Sequence, residues 1–335
     1  MEFIALDSQY VLSELPLFRN NTLPDKLYHY TSIYALKNIL ETNSLWVTNS
    51  KFLNDSTEIK YGYNLICKIA EELKKEKKLS DDFYMLIIDN LNYLIDSKLN
   101  GIYVFSLAKE KDSLLLWSNY SNFEGYNLGI NVKDFLQQVE KYGEISGAKK
   151  SFNVSMDTEI YMRTVTLKED LIQTDKYFND KNEFFMSYNE VIYDKEKQIE
   201  YIKYILTNVN TYYMKHYDEK YLKKLQRFTG SLLMELYNVL LFFKEPAFKQ
   251  EEEYRIIFIK NNSSKEFKNH RILNGSFIPY IELRFKESNF PLDSLSIGPR
   301  NNSDIALIGL KSFLHKNNFN INKINLYNSK IPLRY

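Results

Sequence analysis

Cysteine is almost missing: the 335-residue chain has one, Cys67, beside 10 glycines, 7 prolines and 4 histidines. A lone thiol cannot close an intramolecular disulfide or build a thiolate zinc cage. The chain therefore holds together by packing, and its cysteine usage fits a reducing, cytoplasmic compartment. As a small core residue in a helix, Cys67 is already explained. With so few glycines and no Gly-rich phosphate loop, a dinucleotide-binding fingerprint is excluded; any nucleotide has to be held by side chains and a few backbone groups. No apolar run is long enough to span a bilayer, so no membrane partner is expected. The opening residues, MEFIALDSQYVL, have neither a basic run nor a sustained apolar stretch, and no signal peptide is expected. Neither charge is in excess. A net charge of +1 and a pI of about 7.6 give no global electrostatic reason to bind nucleic acid, though a local basic groove stays open.

Aromatic residues are plentiful. The 27 tyrosines and 22 phenylalanines, within a hydrophobic fraction of 44%, are ample for an aromatic-rich core. The pattern predicts a single α+β domain over 1–335, with a lead-in at 1–26 and a helical insertion at about 195–245.

The stretch that organises the rest runs from Leu27 to Glu58, LYHYTSIYALKNILETNSLWVTNSKFLNDSTE. Leu27-Tyr28-His29-Tyr30 is a β-type run ending on Thr31-Ser32. Ile33, Leu36, Ile39 and Leu40 recur at helical spacing, with Ser32 as N-cap and Asn43 as the stop. Leu45-Trp46-Val47 reads as a second strand. Asp55 and Glu58 then stand three apart, as in a capping box. Further helices are expected at 59–73, 81–98, 112–120 (from an Asp112 cap), 132–139, 195–215, 218–243 and 303–316. Strands are expected at 102–107, 126–130, 158–167, 191–193, 252–260, 278–286, 294–298 and 321–327.

Chemistry concentrates in Glu251 to Ile259. Strand alternation puts Glu251, Glu253 and Arg255 on one face, with Glu252 and Tyr254 on the other. An exposed strand end with weak surface pairing explains this pattern, and so does a carboxylate site with Arg255 as its partner. His29 at a strand end has two readings: a histidine bonding a backbone carbonyl, or a donor to a ribose hydroxyl. Thr31 is explained as a helix cap or as a cofactor contact. Asn54, Asp55 and Glu58 are explained as structural, Asp55 as a cap, while Asp55 facing a site stays open.

Four blocks in order, HYTS at 29–32, FLNDSTE at 52–58, Phe105-Ser106 with Trp117 and Tyr120, and Glu251-Glu252-Glu253-Tyr254-Arg255, resemble a large bacterial family catalogued as a domain of unknown function. More distantly, YHYT with its leucine-rich helix resembles the first motif of ADP-ribosyltransferases. Gly101 to Tyr120 resembles their second motif, with a longer spacing. That resemblance implies a split, mostly antiparallel sheet with flanking helices. It implies NAD as substrate, with Glu253 and then Glu251 as catalytic carboxylates that stabilise developing ribose charge. It also implies cofactor contacts from His29, Thr31, Tyr103, Tyr120 and Arg255, with Trp117 behind the tyrosines. The implied activity is mono-ADP-ribosyl transfer to a protein or nucleic-acid acceptor, as in toxins or phage-defence effectors, with a neutralising partner if it is a toxin. Two alternatives remain. One is a metal-dependent phosphodiesterase using His29, Asp55, Glu251 and Glu253. The other is a non-catalytic module binding a nucleotide or a partner. The spatial expectation is that His29 and Glu253 line one cleft.

Overall fold

A computed structural model of the chain describes residues 23–53, 58–95, 101–145, 184–216, 232, 235–260, 269–273, 275–285, 289–301 and 303–333. Their eleven strands form one sheet: β1 (Lys26–Thr31), β2 (Ser44–Asn49), β3 (Ile102–Ala108), β4 (Tyr126–Asn131), β5 (Gly143–Ile145), β6 (Phe184–Glu190), β7 (Glu253–Lys260), β8 (Asn269–Leu273), β9 (Ser276–Phe285), β10 (Ser294–Ile297) and β11 (Asn325–Asn328). Every named pairing is antiparallel except β10 with β11. The architecture is mixed α/β, as the patterning implies.

The sheet forks at β3. One edge of β3 pairs along its length with β7, from Ile102↔Ile259 to Ala108↔Glu253. The other edge is shared. Tyr28 of β1 pairs with Ala108 at one end, and Thr48 and Asn49 of β2 pair with Val104 and Tyr103 at the other. Extended in register, both strands would run over 105–107. They cannot share that space, so they part there. β1 continues onto β4, and β2 onto β9.

Helices cover both faces, following the period of their apolar residues. α1 (Ile33–Thr42) buries Leu36, Ile39 and Leu40. Ser32 caps it by accepting from the Ala35 amide, and Asn43 ends it at φ 53°, in the left-handed region that Asn tolerates. α2 (Glu58–Lys75), α3 (Asp81–Tyr93), α6 (Lys195–His216) and α7 (235–242) pack on one face, over Ile102, Val104 and Ile257. On the opposite face, α1, α5 (Val132–Tyr142) and α8 (Ser303–Lys316) pack over Tyr103, Phe105, Tyr254, Ile256 and Phe258. α4 (Leu114–Ser121) lies over β1, with Leu116 and Trp117 against Tyr30 and Ala108. Each large core side chain is worth about 1.5–3 kcal/mol of burial, which is why alternation along β3 and β7 sets the register.

Several expected elements differ. The helix cap is Ser113, whose hydroxyl accepts from the Leu116 amide. Asp112 instead accepts from Trp117 Nε1 at 2.7 Å, from the Ser329 hydroxyl and from the Lys330 amide. The strand expected at 191–193 lies earlier, at Phe184–Glu190, leaving Ile192 in one isolated bridge to Phe243. The 158–167 strand, Asp55 and 218–231 fall outside the described residues.

Candidate functional site

His29 stands in the fork. Where β1 and β2 part, the Ser106 carbonyl loses a strand partner, and His29 Nδ1 donates to it at 3.2 Å. A carbonyl only accepts, so Nδ1 carries the proton and Nε2 is left as an acceptor. The ring packs on Phe105 at 4.9 Å. Burial lowers the His29 pKa to about 4; the Ser106 bond opposes the shift and the Arg271 guanidinium adds to it. His29 is therefore neutral near pH 7.

Glu253 occupies the opposite face. Tyr28, Ala108 and Glu253 are paired across β1, β3 and β7, so alternation turns His29 away from Glu253. The expected common cleft is not there; the register excludes it. Both residues nevertheless touch Ser106, His29 at its carbonyl and Glu253 at its hydroxyl. Nor is the Glu253 end of β7 exposed. Glu253 is 7% exposed and Arg255 2%. Arg255 grips both Glu253 oxygens, Nε to Oε1 and Nη2 to Oε2, each at 2.8 Å, while its Nη1 donates to the Leu241 carbonyl. Lys244 donates to Glu251 at 2.7 Å and to Glu253 at 3.3 Å. The Tyr193 hydroxyl accepts from the Glu253 amide. Burial pushes the Glu253 carboxyl upward, but the Arg255 charge and hydrogen bond, with Lys244, outweigh it and hold its pKa down at about 2. The result is a buried, charge-balanced quartet of two acids and two bases.

Glu251 reaches that quartet by a different route from strand alternation. It ends a 3-10 helix, Pro246–Glu251, and Glu252 then turns the chain at φ 43° and ψ 47°. The strand starts only at Glu253. Because Glu252 sits in the left-handed region with an exposed side chain, Glu252→Gly should stabilise the fold by up to about 1 kcal/mol in a urea titration.

The remaining expected residues divide between the faces. Thr31 and Tyr103 are buried on the His29 side, where Tyr103 pairs with Asn49 and Phe258. Trp117 is fully buried and Tyr120 half-buried in the cluster under α4. Tyr103 and Tyr120 therefore lie in separate clusters. A phosphodiesterase centre joining His29 to Glu251 and Glu253 is not assembled either, and among the described residues no group of three or more His, Cys, Asp or Glu could hold a metal ion. An open groove of about 560 Å³ on α6, lined by Ile199, Lys203, Tyr204 and Thr207, faces solvent from a single helix and includes none of these groups.

Residues that the motif reading did not assign flank the fork on the opposite face from His29, since Thr48 pairs with Val104 while His29 packs on Phe105. Thr48 and Trp46 of β2, Tyr280 of β9 and Arg271 of β8 share one sheet face by register. Trp46 and Tyr280 stack at 4.6 Å, and Arg271 Nη2 donates to the Thr48 hydroxyl at 2.8 Å. The sequence signal that could have found Arg271 is Asn274-Gly275 between two short β-type runs, a hairpin pattern; in the structure Arg271 pairs with Ile278 of β9. Lys244 carries no such signal.

Among the described residues no helix is long and apolar enough to cross a membrane. No curated protein and no solved structure matches the chain. Residues 116–256, which include Trp117, Tyr120, Lys244 and the Glu251–Arg255 block, match the model of a family described as a protein of unknown function, DUF2971.

Proposed function

We propose that this protein binds a nucleotide, NAD foremost, at the fork between β1 and β2. The observation that carries the reading is the fixed state of His29: neutral, with Nδ1 committed to Ser106 and Nε2 left to accept from a ribose hydroxyl. The stacked Trp46–Tyr280 pair, on the Val104 face at the β2 side of the fork, supplies an aromatic surface for a flat base. Binding without turnover is the reading the geometry favours, because Glu251 and Glu253 are paired with cations on the other face.

Intracellular mono-ADP-ribosyl transfer, in an ADP-ribosyltransferase-like fold, is the second reading, and the forked, mostly antiparallel sheet supports it. In that reading Glu253 positions Ser106 and through it His29. A protein or nucleic acid is the acceptor, as in a toxin or phage-defence effector. The test is calorimetric titration with NAD, followed by labelled NAD with cell lysate, with and without EDTA. NAD should bind, His29→Ala should weaken it by about tenfold, the loss of one good hydrogen bond, and EDTA should change nothing. Label reaching a lysate component establishes transfer. No NAD binding at millimolar concentration rejects both readings, and EDTA-sensitive phosphodiester cleavage replaces them with the metal mechanism.

A further inference from the structure

We propose that Arg271 anchors an anion site that takes a phosphate group of a nucleotide, with the Thr48 hydroxyl beside it and the Trp46–Tyr280 pair as platform for the base. The proposal rests on the nucleotide reading only for the base; the anion site stands on Arg271 itself.

Arg271 is a held and under-partnered cation. It sits opposite Ile278 on β9, two residues along from Tyr280, which pairs with Thr48. Its Nη2 reaches back across β9 to Thr48, a neutral partner. Its Nε is buried and finds no acceptor among the described residues. Among the described residues no carboxylate pairs with it; Glu282, on the same face, is bound to Ser44 and Arg284. Native structures rarely leave a guanidinium donor buried without an acceptor, and a missing ligand is one recognised reason for such a group. Phosphate supplies several charged acceptor oxygens in the geometry that a guanidinium fork matches.

The surroundings suit an anion next to a base. His29 lies on the other face at the fork, near enough for the Arg271 charge to lower its pKa, and adds no negative charge that would compete for Arg271. Trp46 is 37% exposed and already stacked on Tyr280, so a base can extend an existing stack on the same face as Arg271. Burial lowers the Arg271 pKa, which is the direction an unneutralised charge in a partly dry site takes.

The experiment titrates the full chain with sodium pyrophosphate, ADP and adenosine, read by calorimetry and by fluorescence of the two tryptophans. ADP and pyrophosphate should bind the native protein, and Arg271→Gln should weaken both by at least about tenfold while leaving adenosine unchanged. Trp46→Leu should weaken ADP and adenosine and spare pyrophosphate. Thr48→Val, a change of one hydroxyl, provides a second variant if Arg271→Gln unfolds, and it should weaken pyrophosphate in the same direction. Equal ADP affinity in native and Arg271→Gln protein, or in native and Thr48→Val protein where Arg271→Gln does not fold, overturns the site, as does a failure of pyrophosphate and ADP to bind at all. Pyrophosphate binding that depends on Arg271, in a protein that ignores NAD, retains the anion site and rejects NAD. NAD binding that is indifferent to Arg271→Gln does the reverse.

Discussion

Glu253→Gln lowers the stability of the fold by about 3–5 kcal/mol, the usual result of removing one member of a buried ion pair. The reason is the company that Glu253 keeps. Its two oxygens neutralise Arg255 and share Lys244 with Glu251. Without its charge, two buried cations face one carboxylate, and the bidentate grip of Arg255 meets an amide. A urea titration measures the loss directly. Glu252→Gln, next in the chain with its side chain exposed, should stay within about 0.5 kcal/mol. The pH dependence carries the same signature. The folded carboxyl has a pKa of about 2, below its ordinary 4.5. Its contribution is therefore complete above pH 4.5 and drains away as pH falls toward 2. The gap between native and Glu253→Gln protein should close over that interval. A variant as stable as the native chain at pH 7 would mean that the quartet contributes nothing net.

The second large effect lies at higher pH and belongs to His29. In the unfolded chain this imidazole protonates near 6.5, whereas in the folded chain it resists until about 4. Between those values the unfolded state holds the extra proton, so stability falls as pH drops from 6.5 to 4, by about 3 kcal/mol when the window is fully crossed. Acidic side chains with ordinary pKa values titrate near and below 4.5, so the upper part of the window isolates the histidine. His29→Asn places an amide donor near Ser106 without a titrating ring. It should flatten the stability profile between pH 4.5 and 6.5 while keeping most of the stability at pH 7. An unchanged slope in the variant would move the effect to other groups.

The local order of the opening was legible because each signal was local. The period of Leu36, Ile39 and Leu40, the Ser32 cap and the Asn43 stop all act within one turn of the helix they define. The buried strands β3 and β7 were legible for a similar reason, since continuous apolar runs have few alternatives. What failed was anything decided by register. Alternation through Glu251, Glu252 and Glu253 assumed a strand that begins two residues later, after a left-handed turn. Asp112 looks like a cap in sequence, yet Ser329 and Lys330, more than 200 residues away, compete for its oxygens. His29 and Glu253 were both singled out from the sequence, and the structure gives each a hydrogen-bonded setting. Whether they share a face depends on Tyr28 meeting Ala108 and Ala108 meeting Glu253, which no single segment encodes. Arg271 went unnoticed because its setting comes from Thr48, more than 200 residues away in the chain, and from the pairing of β8 with β9.

The forked strand also dictates when the chain can fold. β3 needs β7, about 150 residues later, on one edge, and β1 needs β4, about 100 residues later, on its own. β4 in turn waits for β10, close to the end. Such distant pairings must close long loops before any contact rewards them, so the expected folding is slow. During synthesis, at about 5–20 residues per second, β1 and the edge of β3 emerge well before their partners. For that interval the segment around His29, KLYHYT, is an unpaired strand rich in tyrosine, exposed to association with other chains. Expression at low temperature or with chaperones should therefore raise the yield of folded protein more than any single stabilising substitution.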